Sequence, residues 1–187
     1  LGGIEASMRR LTHYDYWQDK LLPSILVMSG GDMLIYGMGE KPICELVRQM
    51  LNGNRICDIY NIPQTAFLCH STDPAAQPTG NDIVLHSHEE CLQNKKAEAD
   101  NFRHIEEESN KIHAQRILQD VGTDTVVVNP PYPPMTTDEL DASYELPYTR
   151  LPHPKYRNKR IPAYDMIKFS VNIHRGCFGG CAFCTIS

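Results

Sequence analysis

Long apolar runs are missing from this chain of 187 residues. None approaches the roughly 20 residues that a helix needs to span a bilayer, so no membrane association is expected. A basic surplus is missing too: 18 Lys and Arg stand against 23 Asp and Glu, a formal charge of −5. Proteins that track phosphates ordinarily carry a basic face. Nucleic acid is therefore disfavoured as a partner, and the short basic run at 155–160 reads as a solvated loop. The opening Leu1-Gly-Gly-Ile-Glu5 lacks the basic start and apolar stretch of a secretory signal. Paired cysteines are lacking as well, because seven is an odd number and argues for reduced thiols rather than a disulfide framework. Together these absences predict a cytoplasmic, soluble globular protein.

What the chain does have is concentrated near its end. Cys177, Cys181 and Cys184 stand as Cys-Phe-Gly-Gly-Cys-Ala-Phe-Cys, a C-x3-C-x2-C triplet. Iron–sulfur cubanes are ordinarily held by four thiolates, so three suggest a [4Fe–4S] cluster with one iron open to a small molecule. Structural zinc is the competing reading, since Cys-x2-Cys is also half of a common zinc site. Zinc, however, closes with four ligands, usually as two separated pairs, and Cys44, Cys57, Cys69 and Cys91 are scattered upstream without paired spacing. Inert thiols are the third possibility. Residues 166–173 alternate apolar and polar side chains and predict a strand. Gly176, Gly179 and Gly180 would then let the backbone turn closely around a bulky group. A strand delivering a cysteine loop at its C-terminal end suits an α/β barrel.

The segment Phe-Ser-Val-Asn-Ile-His-Arg-Gly-Cys-Phe-Gly-Gly-Cys at 169–181, Tyr-Glu-Leu-Pro-Tyr-Thr-Arg at 144–150 and Arg-Ile-Pro-Ala-Tyr at 160–164 resemble the bacterial YgiQ-type radical S-adenosylmethionine (SAM) proteins of the UPF0313 kind. Phe183, just before the last cysteine, fits the same motif. The resemblance runs through nearly all of the chain. It implies that Cys177, Cys181 and Cys184 ligate a [4Fe–4S] cluster, and that SAM chelates the open iron and is cleaved reductively to start radical chemistry. It also implies that Phe183 packs near the adenine, with a plain loop-core role as the alternative. An external electron donor of flavodoxin or ferredoxin type and a substrate that the chain does not identify complete the partners. His174 and Arg175 could tune the cluster or simply cap the strand.

The fold class expected is α/β: a partial Rossmann-like, cobalamin-binding-like domain with a helical insertion, then the first strand and cluster loop of a radical SAM (β/α) barrel. The domain would be cobalamin-free, because the histidine-bearing motif that such binding needs is not seen. Residues 1–128 form the N-terminal domain with an insertion at about 87–121, 129–162 a Pro-rich linker with a short helix, and 163–187 the start of the radical SAM core. Because the chain starts on Leu1 and stops three residues after Cys184, it is expected to be an inactive fragment of a longer enzyme. A non-catalytic iron–sulfur or zinc module, and a tRNA-modifying methylthiotransferase-like enzyme, are the alternatives.

Along the chain, Ile4, Met8 and Leu11 recur at helical spacing. The Tyr14–Trp17 cluster, with no basic residue interleaved, reads as a packed loop rather than a binding platform. Residues 24–28 and 32–36 read as buried strands of a parallel sheet. Gly37-Met-Gly-Glu40 then leads into a helix over 41–51, with Pro42 in its first turn. Strands are expected at 55–60, 66–69, 83–85 and 125–128. One or two helices over 89–119 carry Leu92, Ala99, Phe102, Ile105, Ile112 and Ile117 on an apolar face, Glu106–Glu108 on a solvated one, and Gly122 as a stop. Cys69-His70, His86 and His88 read as loop residues rather than metal ligands. Asn129 to Pro134 must be extended. Thr136 and Glu139 form a capping box for a helix through Tyr144, and 146–162 reads as a docked linker or, alternatively, a proline-rich partner motif.

Overall fold

The computed structural model describes residues 1–172 and 176–177, which fall into two compact units, 1–135 and 136–187. The first unit opens with helix α1 (Ile4–Met8), strands β1 (His13–Asp15) and β2 (Lys20–Leu22), helix α2 (Ile25–Ser29), strand β3 (Met33–Ile35) and helix α3 (Glu40–Leu51). Strands β4 (Thr65–His70) and β5 (Ile83–Val84), helices α4 (His88–Gln93) and α5 (Lys95–Ser109), and strands β6 (Ile117–Val121) and β7 (Asp124–Val128) follow. The second unit holds α6 (Thr137–Tyr144) and α7 (Pro162–Ile167). No helix among the described residues is long and apolar enough to cross a membrane.

The main sheet has the order β3-β4-β7-β6-β5. Side chains alternate across it with the period of two that a pleated strand imposes. Leu34, Ala66, Ile117, Val126 and Val128 pack on one face with Leu11, Leu26 and Leu85, while Phe67, Cys69, Leu118 and Val127 pack on the other with Ala76. Burial on both faces accounts for the near-continuous apolar run of β7. A third cluster, Met33, Leu46, Ile59 and Ile62, seats α3.

The α/β class stands, with a mixed sheet. The expected parallel pairing is corrected: only β5–β6 is parallel, while β3–β4, β4–β7 and β6–β7 are antiparallel. Antiparallel neighbours need only short connections, and β6 turns into β7 through Gly122-Thr123, with Gly122 at φ 62°. Gly122 thus makes a hairpin rather than ending a helix, and residues 117–119 form strand where helix was expected. Residues 24–28 are also not a strand. Ser24 caps α2 by accepting from the Leu26 amide, and Gly30 closes it at φ 64°, so the two end signals override a short apolar run. Residues 55–60 contain one turn of 3-10 helix at Ile56–Asp58, which lets Ile59 and Ile62 face the third cluster.

Polar residues take several inward places that apolar ones were expected to fill. Along α5 the buried residues are Ala97, Asn101 and Glu108, while Phe102 is 56% exposed. Asn101 donates to the His86 carbonyl at 2.9 Å and accepts from its amide, and Glu108 accepts from the Gln115 amide at 2.7 Å and from Lys111. Glu108 is therefore not on the solvated face. At the β1–β2 hairpin the buried residue is Asp15, held by Arg9 at 3.0 Å and by the Gln18 amide. Tyr14, Tyr16 and Trp17 stand outside at 58–79% exposure, so the packed aromatic loop is corrected to an exposed hairpin end. His70 closes β4 and His88 opens α4, so neither is a loop residue.

These buried polar groups set the pH dependence. Burial is the main cause that lowers the imidazoles of His13 and His88 below the ordinary histidine value. The unfolded chain therefore binds these protons more readily, and stability falls as pH drops through about 6.5. For Asp82, burial works against ionisation, but hydrogen bonds from Arg116 and Thr79 outweigh it and hold the carboxyl below its ordinary value. Its stabilisation is complete above about pH 4 and is lost below it. A melting series from pH 8 to pH 3 should show two successive declines, and a flat profile above pH 5 would exclude the histidine contribution.

In the second unit, the capping box read from sequence is formed. Thr136 Oγ1 accepts from the Glu139 amide at 3.3 Å, and Glu139 Oε2 accepts from the Thr136 amide at 2.8 Å. Because α6 buries no residue, its caps carry much of its stability. Thr136→Ala is expected to cost about 1 kcal/mol, read as faster amide exchange in residues 137–144 with the first unit unaffected. The expected strand at 166–173 is corrected over its described part: Pro162 starts α7, which ends at Ile167, and 168–172 contain no strand.

Candidate functional site

Of the three motif cysteines, the structure places Cys177, which is exposed. Gly176 before it has φ +87°, and a Cβ there would meet nothing within 4 Å. That backbone conformation suits glycine and leaves open space beside the first thiol. Cys181, Cys184, Phe183, His174 and Arg175 lie outside the described residues.

The four upstream cysteines form no metal site with one another or with other described residues. Among the described residues no three His, Cys, Asp or Glu side chains come together to hold a metal ion. Cys69 and Cys91 are buried. Burial is the chief cause that pushes the Cys69 thiol up to about 11 and the Cys91 thiol up to about 12, and at Cys91 a hydrogen bond with Glu98 adds to it. Metal ligation needs the thiolate, so both are protonated core residues. Cys91 Sγ accepts from Asn101 Nδ2 at 3.1 Å and belongs to the polar packing of α4 on α5. Cys44 lies on α3 and Cys57 in the turn after it, both exposed.

The Gly37-Met-Gly-Glu40 loop is held by a residue that the sequence reading passed over. Gln64 adopts φ 63°, and its Nε2 donates to the Tyr36 carbonyl at 2.8 Å and to the Met38 carbonyl. Its amide donates to Pro130 O at 2.8 Å. Asn129 sits alongside, with Nδ2 donating to Tyr60 O and Ile62 O at 2.9 Å and to Thr65 Oγ1 at 3.1 Å. Gly37 stands at φ 65°, which explains glycine at the turn; a Cβ there would lie 3.4 Å from Gln64 Nε2, an ordinary contact. A positive φ at a buried glutamine has no local sequence signature. The Asn-Pro-Pro run was the available clue that the 129–131 backbone is fixed.

Comparison with known proteins adds the following. Residues 1–170 match the family described as Radical SAM N-terminal. The chain is 66% identical to a UPF0313 protein of Bacteroides thetaiotaomicron, an alignment that covers 100% of this chain and 32% of the relative. It is 60% identical to a UPF0313 protein of Porphyromonas gingivalis, covering 100% and 29%. It is 37% identical to the UPF0313 protein YgiQ of Escherichia coli K12, covering 100% and 32%. The chain thus spans about a third of the length of the curated relatives it matches. No solved structure matches it.

Proposed function

Because this chain belongs to the Radical SAM N-terminal family, we propose that Cys177, Cys181 and Cys184 hold a [4Fe–4S] cluster and that the intact protein is a radical SAM enzyme. The observation that carries this reading is the donor set itself: three closely spaced thiols, the first exposed beside an open glycine turn, while Cys69 and Cys91 are buried and protonated. Three thiolates on a cubane leave one iron without a protein ligand. A cluster held there would supply one-electron cleavage of the SAM sulfonium bond, chemistry that belongs to the cofactor rather than to the protein.

The chain's own part is to present the thiolates and to shape their surroundings. Gly176 leaves room for the cluster, glycine at 179 and 180 adds no side chain there, and Phe183 packs against the adenine of SAM. In the same proposal, residues 1–128 form the N-terminal domain, 129–162 a connector and 163–187 the opening of the barrel, in a cytoplasmic protein served by an external flavodoxin- or ferredoxin-type donor.

The test is anaerobic reconstitution of the intact protein with iron and sulfide, followed by electron paramagnetic resonance of the reduced form with and without SAM. A reduced-cluster signal that changes on adding SAM supports the proposal. About one zinc per chain, or a cluster indifferent to SAM, overturns it.

A further inference from the structure

Residues 150–168 carry Arg150, Lys155, Arg157, Lys159, Arg160 and Lys168 against the single carboxylate of Asp165, a local balance of +5. The whole chain stands at −5, so everything outside this segment carries −10. All six cations are exposed. Among the described residues their ion pairs are those of Arg160 and Lys168, at 3.1 Å and 3.5 Å, both to Asp165. The segment folds back on itself, since the Tyr164 hydroxyl donates to the Arg150 carbonyl at 3.4 Å and successive turns run His153–Tyr156 and Tyr156–Lys159. The charges therefore sit on one small, ordered stretch rather than on a long flexible arm. At physiological salt, fields from charges within about 8 Å add, and such a patch steers oppositely charged partners.

We infer that this basic surface docks a small acidic protein that brings electrons to the intact enzyme. The electron-carrying role rests on the radical SAM reading above, whereas the docking rests on the charge pattern alone. Position supports the pairing. Lys168 precedes Cys177 by nine residues, and a chain spans at most about 3.6 Å per residue, so the patch ends within roughly 30 Å of the first motif cysteine. A compact acidic partner matches the size and sign of the patch. Single-stranded nucleic acid fits less well, because the aromatic rings of the patch are already engaged. Base stacking would compete with the chain's own cations: Lys155 Nζ lies 4.9 Å from the Tyr156 ring centre and Lys168 Nζ 5.4 Å from that of Phe169.

The test measures binding of the 187-residue chain, without added iron, to a fluorescently labelled flavodoxin at low and at high salt, beside a single-stranded oligoribonucleotide. Micromolar binding of the flavodoxin, weakened at least tenfold by raising the salt, is expected, with weaker binding of the RNA. The combined change Lys155→Glu, Arg157→Glu and Lys159→Glu should weaken flavodoxin binding at least tenfold at an unchanged circular dichroism spectrum. The same charge change made on α5, by Lys95→Glu, Lys96→Glu and Arg103→Glu, should alter it less than threefold. Equal effects of the two triple changes, no flavodoxin binding, or tighter binding of the RNA would each overturn the inference. Binding is read without the cluster, so docking that persists while reconstitution fails would sink the radical SAM reading alone. Failed docking beside a SAM-sensitive cluster would sink only this one.

Discussion

Cys177→Ala is expected to lower the iron retained after anaerobic reconstitution from about four per chain to background, without changing the helix and sheet signal of the protein. The same loss is expected for Cys181→Ala and Cys184→Ala, because a cubane left with two protein thiolates has two irons open to solvent and competing ligands. The fold is spared because Cys177 is exposed and contributes to none of the three buried clusters. Cys69→Ala supplies the opposite pattern. Cys69 packs with Phe67, Leu118 and Val127 and its thiol is pushed up to about 11, chiefly by burial, so its loss costs stability of about 1 kcal/mol and leaves iron untouched. Iron and sulfide analysis with circular dichroism reads both. Full iron retention in Cys177→Ala would remove that residue from the ligand set, and loss of iron in Cys69→Ala at native spectrum would place an upstream thiol in it.

The motif stands out in sequence because its signal is local, three thiols and their glycines within nine residues, and most of it lies outside the described residues. The capping box at Thr136 and Glu139 was legible for the same reason, as was β7, whose three valines follow a β-branched threonine. What escaped depends on partners far away in sequence. The Thr12 amide donates to Gln119 Oε1 across 107 positions, and Thr12 Oγ1 bonds His88 across 76. A polar residue can be internal only if such partners exist, as Gln119 is through Thr12; Glu108, expected on a solvated face, is held instead by nearby Lys111 and the Gln115 amide, which helical spacing alone does not reveal. The error at 24–28 was of another kind. A five-residue apolar run fits helix and strand alike, and Ser24 and Gly30 were available to decide between them. The aromatic hairpin end was misjudged because burial was assigned by hydrophobicity, whereas Asp15, with Arg9 and the Gln18 amide as partners, takes the inward position.

Arg116→Met is expected to destabilise the first unit by about 3–5 kcal/mol, the range for breaking a buried ion pair from one side. Arg116 Nη2 reaches Asp82 Oδ2 at 2.6 Å, and the two side chains are 22% and 6% exposed. The guanidinium also donates to the Ala75 carbonyl at 3.0 Å and the Gln77 carbonyl at 2.9 Å, so it ties the loop before β5 to the start of β6. Its own carbonyl accepts from the Ile83 amide at 2.9 Å in the one parallel pairing of the sheet. Methionine keeps the length of the side chain, so most of the loss comes from leaving the Asp82 carboxylate buried with Thr79 alone, through its amide and its hydroxyl, as donor. At about 2–4 °C per kcal/mol for a chain of this size, the melting midpoint should fall by roughly 10 °C. Adding Asp82→Asn to Arg116→Met removes the stranded charge and should restore about half of the fall, because the desolvation cost of an unpaired carboxylate exceeds that of an amide. The single variant should also lose stability further as pH rises from 4 to 7, where Asp82 ionises without its partner. A midpoint shift below about 2 °C, or a double variant no more stable than the single one, would show that the pair is as weak as an exposed salt bridge and that the β5–β6 junction is held by its backbone ladder alone.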